Sequence, residues 1–171
     1  MKTSKEGLEE LQSSESCKLK AYPDPLSPLA IAKRAKQPTE GLSGAPWTIG
    51  WGQTGEGIKE GVEWTQEQAD AARDATVAAR EKAITKALTR AATQAQFDAM
   101  ISLSYNIGVR AFQNSTVLRQ HNAGNFKDAA NAFLMWNKKT IDGVLTYNEG
   151  LNSRRQREKA LYLTIQTPKA A

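Results

Sequence analysis

A change in composition after Trp64 is the feature that most limits how this chain can fold. Residues 25–46 are rich in Pro, Ser and Gly, whereas the stretch from Thr65 to about Leu88 is rich in Ala and contains neither Gly nor Pro. Because Gly and Pro interrupt regular elements, the first segment predicts a long loop with one helical turn at 29–36, and the second predicts a long helix. A turn-rich part is therefore expected to precede a helical part.

Composition excludes several classes of protein. In 171 residues, 23 Lys and Arg stand against 18 Asp and Glu, which gives a formal charge of +5, and 40% of the residues are hydrophobic. These values are typical of a globular domain rather than a disordered chain. The single cysteine, Cys17, cannot form an internal disulfide, and no Cys-x-x-Cys motif is present for zinc. Folding is expected to depend on core packing, with no metal or other cofactor.

The surplus of positive charge suits an anionic partner, which could be nucleic acid, a membrane or a cell wall. The densest basic runs are at 33–36 and 154–159, and each is either a solvated surface or a site that attracts a polyanion. No zinc-finger spacing, RNP-like strand or zipper heptad accompanies them, which disfavours nucleic acid. No apolar run reaches the ~18 residues of a membrane span, and the N-terminus lacks the apolar core of a secretory signal. We expect synthesis in the cytoplasm and no stable membrane anchor.

Hydrophobic periodicity and capping signals predict the regular elements. The expected helices are 3–14, 65–88, 93–108, 115–122, 126–137 and 152–164, the expected strands are 18–22 and 47–52, and a turn-rich segment is expected at 138–150. This order predicts an α+β fold. It consists of a small β-containing lobe at about 17–64, a connecting helix at about 65–88, and an all-helical lobe at about 90–171 that also takes in the N-terminal helix.

The residues suited to catalysis are few. The single histidine, His121, precedes Gly124 at a predicted helix end, where a structural role as a positive charge is expected. With one His and one Cys far apart, a Ser-His-Asp or Cys-His nucleophile is hard to build, and no phosphate-binding glycine motif is present. Carboxylates remain as the candidate catalytic groups.

Glu15 and Asp24 form a candidate pair of such carboxylates. Glu15 follows the first predicted helix and Asp24 follows the first predicted strand, so they could face each other across a small β lobe. Glycoside hydrolysis needs two carboxyl groups in this way, one as a protonated acid and one ionised. The same spacing also fits a helix cap at Glu15 and a turn residue at Asp24.

Several motifs add a more specific signal. Glu-Ser-Cys-Lys-Leu-Lys-Ala-Tyr-Pro-Asp stands at 15–24 and Trp-Thr-Ile-Gly-Trp-Gly at 47–52. They are followed in order by Gln-Phe-Asp-Ala at 96–99, Tyr-Asn-Ile-Gly at 105–108, Trp-Asn at 136–137 and Gly-Leu-x-x-Arg-Arg-x-x-Glu at 150–158. Together these motifs resemble the phage-type lysozymes of glycoside hydrolase family 24 over nearly the whole chain. The resemblance implies a lysozyme-like fold with a cleft between the two lobes.

The resemblance also implies catalytic roles for three residues. Glu15 would be the general acid, Asp24 the base that positions or activates water, and Thr48 a hydroxyl that helps to hold that water. A Thr hydroxyl can donate and accept, which suits a bridge between a carboxylate and water. Members with this triad are expected to hydrolyse the β-1,4 bond between N-acetylmuramic acid and N-acetylglucosamine with inversion, which needs carboxyls roughly 6.5–9.5 Å apart.

Four further positions match substrate contacts of the family: Thr54, Tyr105, Ser115 and Asn137. Each also has a structural alternative, because Thr54 fits a plain loop residue, Tyr105 a core aromatic and Ser115 a helix N-cap, and Asn137 stands near a predicted helix end. Three departures from the family pattern stand beside them. Ser16 replaces a usual Gly, Gln53 replaces a frequent His, and residues 25–46 are an insertion that could gate the cleft or touch peptide stems through its basic run.

The function implied is that of a peptidoglycan muramidase that lyses the host at the end of phage infection. Such an enzyme is expected to be a monomer, to accumulate in the host cytoplasm, and to need a separate holin before it can reach the periplasm and cell wall. Two alternatives stay open: a catalytically silent peptidoglycan-binding module on the same fold, and a cationic membrane-active protein that contacts lipid through the basic C-terminal helix at 154–159. A muramidase with a different stereochemical outcome is also compatible with the sequence.

Overall fold

A computed structural model gives the fold, and it describes residues 1–141 and 143–164. Contacts divide the chain into two compact units. The β unit comprises residues 15–76, and the helical unit comprises residues 1–14 with the described residues from 77 onward. The predicted helical lobe reaches residue 171, so its last part, 165–171, and Asp142 lie outside the described residues.

The regular elements follow the predicted order. The helices are α1 (Lys5–Ser13), α2 (Pro28–Ala35), α3 (Gln66–Ala87), α4 (Gln94–Ile107), α5 (Val109–Gln113), α6 (Thr116–Ala123), α7 (Phe126–Ala132) and α8 (Glu149–Tyr162). The strands are β1 (Lys18–Pro23), β2 (Trp47–Gly50), β3 (Gln53–Thr54), β4 (Lys138–Ile141) and β5 (Val144–Tyr147). A 3₁₀ helix at Phe133–Trp136 follows α7. No helix within the described ranges is long and apolar enough to cross a membrane.

Three predictions of local structure need correction. The segment 138–150, expected to be turns, contains the antiparallel hairpin of β4 and β5, whose eight strand residues are all exposed. The helix expected at 126–137 changes after Ala132 to 3₁₀ geometry. The single turn expected at 29–36 is an eight-residue helix, because Ser27 caps it and Pro28 starts it.

Capping boxes fix the starts of the two long central helices. At α3, the N–H of Thr65 donates to Gln68 Oε1 at 2.8 Å, and the N–H of Gln68 donates to Thr65 Oγ1 at 3.2 Å. At α4, Thr93 and Gln96 make the same pair of bonds at 3.0 and 3.2 Å. Each box satisfies two backbone donors that a helix start leaves open, and both starts are confirmed.

The loop that contains α2 closes tightly on the end of β1. The N–H of Asp24 donates to the carbonyl oxygens of Gly44 (3.1 Å) and Pro46 (2.9 Å). Gly44 is required there, because a Cβ on it would lie 2.6 Å from the Trp47 ring and 2.9 Å from Leu29. The long loop therefore begins and ends beside Asp24.

Within the β unit, a polar cluster on Asp70 joins the turn after β2 to the first half of α3. Its Oδ1 accepts from Trp51 Nε1 at 2.7 Å, from Gln66 Nε2 at 3.0 Å and from Arg73 Nη1 at 3.1 Å. The indole hydrogen bond is the main reason that the pKa of Asp70 lies below its usual value. Trp51 is thus held within the β unit by this hydrogen bond and by the Arg73 guanidinium, whose carbon lies 5.5 Å from the ring centroid.

The core of the helical unit is built around α4, which packs against α1 and α8. Its members are apolar side chains that solvent does not reach, including Leu11, Ile84, Phe97, Met100, Ile101, Leu103, Phe112, Phe133 and Tyr162. Apolar burial of this extent is the main favourable term in folding, and it requires no disulfide here.

Two of the four basic residues in the run at 154–159 do not lie at the surface that both interpretations of the sequence assumed. Arg154 is 4% exposed, while Arg155 and Glu158 are fully buried. Glu158 accepts hydrogen bonds from Arg154 Nε (3.1 Å), Arg155 Nη2 (2.9 Å) and Ser102 Oγ (2.8 Å). A buried guanidinium must be paired, and one carboxylate here serves two of them. Arg154 and Arg155 therefore belong to the interior and cannot serve as a lipid-contacting face.

His121 has the expected structural role, but the prediction that it carries charge is wrong. The residue is fully buried on α6, and its Nδ1 lies 2.6 Å from the hydroxyl oxygen of Tyr162. Burial lowers the pKa of His121 below its ordinary value, because the low-dielectric interior disfavours the imidazolium. The ring is consequently neutral and packs as a core residue.

Replacing Glu158 by Gln should sharply destabilise the protein, because it leaves buried guanidinium charge without a partner. The expected loss in free energy of unfolding is about 3–5 kcal/mol, measured by denaturant titration. Glu10→Gln is the matched control. Glu10 of α1 pairs with Arg157, which lies on α8 like Glu158 but is more exposed, so this substitution should cost less than ~1 kcal/mol. Equal losses in the two variants would contradict this view of the interior.

Folding stability should also depend on pH through His121. The unfolded chain takes up a proton near the ordinary His pKa of about 6.5, whereas the folded chain resists protonation to lower pH. The stability that neutral His121 provides is therefore complete above that pH and is lost as the pH falls toward the lowered folded-state pKa. Melting temperatures across the weakly acidic range should fall more steeply for the wild type than for His121→Asn, and identical slopes would refute the assignment.

Candidate functional site

The register of the three-stranded sheet brings together two residues that the sequence singled out. The strand order is β1-β2-β3, with Tyr22 opposite Thr48 and Thr48 opposite Thr54. Directly opposed residues of antiparallel strands point to the same face. Tyr22, Thr48 and Thr54 therefore form one row of hydroxyl-bearing side chains across the sheet, which we call the hydroxyl row.

Asp24 stands two residues beyond Tyr22, half-buried in the turn that leaves β1. Its Oδ1 accepts the N–H of Leu26 at 2.7 Å, and its carbonyl oxygen accepts the N–H of Ser27 at 3.0 Å. The expectation that Asp24 is a turn residue is thus confirmed. These bonds fix the orientation of the carboxylate and engage only one of its two oxygens in the turn.

Glu15 is the first residue of the β unit and is half-buried. The C-cap of α1 is Ser14, so the alternative that Glu15 is a helix cap is wrong. Its charge acts on the hydroxyl row, because the pKa of Tyr22 is raised by burial and further by Glu15, while a hydrogen bond with Thr48 opposes the rise. Glu15, Tyr22 and Thr48 therefore interact within one compact unit.

Tyr22 is the residue of this site that sequence reasoning missed. Its ring also carries the Lys18 ammonium group, with Nζ 4.3 Å from the ring centroid. One sequence signal could have found it: Tyr22 stands two residues before Asp24, at the end of the strand that leads into that turn.

The other predicted substrate residues belong to the helical unit. Tyr105 is half-buried on α4, with the Arg80 guanidinium carbon 4.6 Å from its ring centroid. Ser115 is buried and caps α6 by accepting the N–H of Leu118 at 3.2 Å, so its helix-cap alternative is confirmed. A contact of either residue with substrate stays a prediction.

Asn137 links the two ends of the β4–β5 hairpin. Its carbonyl oxygen accepts the N–H of Asn148 at 2.9 Å, and its Nδ2 donates to Asn152 Oδ1 at 3.1 Å. The side chain of Gln53 accepts the N–H of Trp51 at 2.7 Å and so fixes the turn between β2 and β3. Among the described residues, no group of three or more His, Cys, Asp and Glu side chains could hold a metal ion.

Comparison with known proteins agrees over most of the chain. The family model described as phage lysozyme matches residues 12–158. The endolysin of Salmonella phage P22 is 35% identical over 165 residues, covering 96% of this chain and 99% of that protein. The endolysin of Bacillus phage B103 is 36% identical over 164 residues, which are 96% of this chain, and this chain spans about half (55%) of that protein.

The fold also matches a solved structure closely. The muramidase domain of SpmX from Asticaccaulis excentricus superposes with a TM-score of 0.79 at 32% sequence identity. The match covers 96% of this chain and 99% of that one. The α+β, lysozyme-like fold is confirmed.

The two neighbours of Tyr22 should shift its pKa in opposite directions. Glu15→Gln should lower the pKa of Tyr22, because a nearby negative charge that disfavours the tyrosinate is removed. Thr48→Val should raise it, because a hydrogen bond that favours the tyrosinate is lost. Titration of carbon-13-labelled tyrosine by NMR, with the Tyr22 signal assigned through Tyr22→Phe, measures both. Glu9→Gln is the control and should leave the pKa of Tyr22 unchanged. If Glu15→Gln also left that pKa unchanged, the carboxylate of Glu15 would not lie near Tyr22.

Proposed function

Because the chain belongs to the phage lysozyme family, we propose that it is an endolysin, a muramidase that hydrolyses the β-1,4 bond between N-acetylmuramic acid and N-acetylglucosamine in peptidoglycan. The observation that carries this proposal is that Glu15, Asp24 and Thr48 all lie in the β unit, where Tyr22 connects the first and the third. Paired carboxylates beside a hydroxyl are the groups that such a hydrolysis requires.

In the proposed reaction, Glu15 donates its proton to the glycosidic oxygen as the bond to the anomeric carbon breaks. A water molecule held by Asp24 and Thr48 attacks that carbon from the opposite face, and Asp24 takes a proton from it. The turn at Leu26 uses only Oδ1 of Asp24, which suits Oδ2 as the atom that receives the water proton. Both carboxyl groups return to their starting protonation states by proton exchange with solvent. The product has the inverted configuration at its anomeric carbon.

The remaining site residues extend this proposal. Thr54 stands beside Thr48 in the hydroxyl row and is exposed, which supports a role in binding the saccharide. Tyr105, Ser115 and Asn137 are proposed as further substrate contacts on the family resemblance alone. We also propose that the protein acts as a monomer and accumulates in the host cytoplasm. A separate holin would then open the membrane for its passage to the wall.

The alternatives receive less support. A silent binding module would not need two carboxyl groups, one of them fixed in a turn, in the same unit as the Thr48 hydroxyl. A membrane-active protein working through the C-terminal helix would need Arg154 and Arg155 at the surface, and both are buried. The hydrolase therefore accounts for more of the site than either rival does.

Glu15→Gln, Asp24→Asn and Thr48→Val should each slow clearing of a suspension of isolated peptidoglycan. The two carboxyl variants should lose at least about a hundredfold in rate, the usual contribution of a general acid or base. Glu9→Gln, an exposed change on α1, should match the wild type. Carboxyl variants that clear as fast as the wild type would overturn the mechanism, and anhydro-muramic ends in the products would indicate a lytic transglycosylase instead.

A further inference from the structure

Three cations at the end of α2 form a surface that the proposed reaction does not use. Lys33, Arg34 and Lys36, which we call the basic turn, are all exposed, and no ion pair joins them to any carboxylate of the described residues. Glu40 is the one acidic residue in the sequence from 25 to 46. Unpaired positive charge of this density is available to an anionic ligand.

The basic turn stands on a fixed support. On the other side of α2, Leu29, Ala30 and Ala32 are buried, and the N–H of Leu29 donates to the carbonyl oxygen of Ser43 at 3.1 Å. Ser27, itself buried, caps the helix by accepting the N–H of Ala30 at 3.2 Å. Packing on one side and capping at the start hold the charged side toward solvent.

The same support is bonded to the proposed catalytic base. Asp24 accepts backbone N–H groups at the start of the loop and donates its own N–H to Gly44 and Pro46 at the end. The eight residues of α2 span about 12 Å. A ligand held by the basic turn would therefore lie about one short helix from the carboxylate of Asp24, within the same unit.

Lys36 has a backbone conformation that points to a role for its side chain. Its φ is +54°, and it is the one non-glycine residue with a positive φ in the described ranges. Helices that end in this left-handed conformation usually place Gly or Asn there, since a Cβ is disfavoured. The backbone conformation at this position therefore disfavours a lysine. The side chain of Lys36 nevertheless supplies the third cation of the basic turn.

We infer that the basic turn is a binding subsite for the carboxylates of the peptide stems that muramic acid carries in peptidoglycan, a deepening that rests on the proposed function. Stem peptides are short and acidic, and Arg and Lys bind carboxylates through charge-assisted hydrogen bonds. The hydrogen bonds of Asp24 favour this ligand over a lipid surface, because they tie the loop that carries the cations to the proposed catalytic base. The stem would then be held while the glycan lies on the hydroxyl row.

The test compares intact peptidoglycan fragments with the same glycan chains after an amidase has removed the peptides. The stripped chains lack every stem carboxylate and keep only the lactyl carboxylate that the cleavage frees on muramic acid. In K33Q/R34Q/K36Q, KM for the intact fragments should rise about three- to tenfold with kcat unchanged, the effect of losing several exposed charge contacts. KM for stripped chains should not change. The control K82Q/K86Q/K127Q removes the same charge from exposed positions of the helical unit and should behave as the wild type.

A single substitution separates binding from folding. Lys36→Gly removes one cation and relieves the left-handed backbone, so its melting temperature should equal or exceed that of the wild type. Its KM for intact fragments should nevertheless rise about twofold. A lower melting temperature together with an unchanged KM would show that Lys36 serves the fold and not the ligand.

The remaining outcomes are decisive as well. Equal effects of the two triple variants, or equal effects on intact and stripped chains, would overturn the subsite. Weaker binding to phosphatidylglycerol vesicles with no change on peptidoglycan would assign the basic turn to membranes instead. If the wild type cleaves neither substrate, the proposed function fails, and retention of the same variants on intact and stripped peptidoglycan still decides whether the basic turn binds stems.

Discussion

The backbone bonds of Asp24 are the constraint on which the β unit depends. Its N–H closes the loop from 25 to 46 by donating to Gly44 and Pro46, while its carbonyl and carboxylate oxygens start the turn into α2. A loop of this length would ordinarily loosen a small lobe, because ordering each residue costs conformational entropy. Here both ends of the loop meet on one residue, so the loop includes a helix without displacing the proposed base.

The register of the sheet supplies the second constraint. A shift of one residue would turn Thr48 to the other face and remove it from Tyr22 and Thr54. The turn that follows β2 is held by the Gln53 side chain on the N–H of Trp51, which pins that register. The proposed water-holding hydroxyl is thus positioned by a turn bond that the Gln53 side chain makes outside the reacting groups.

Elements with strong local signals could be predicted from the sequence. The capping boxes at Thr65 and Thr93 depend on residues three apart, so the helix starts needed no knowledge of the fold. The hairpin of β4 and β5 was missed because its strands are exposed on both faces and show no alternation. The burial of Arg154 and Arg155 cannot be predicted from local sequence, because it depends on Glu158 and on Ser102. Ser102 belongs to α4, which is far from α8 in the sequence although it packs against it.

These pairings change the meaning of the net charge of +5. Arg154 and Arg155 are neutralised inside the helical unit, and Lys2 and Arg157 are paired with Glu81 and Glu10 on its surface. Positive charge counted along the sequence is therefore not the charge that a ligand meets. In the β unit, nine acidic residues outnumber seven basic ones, so the unpaired basic turn of α2 is a local patch of positive charge on the unit that holds Glu15 and Asp24. Charge placed there can orient a strand for cleavage, whereas the same charge spread over the surface would only bring the protein to the wall.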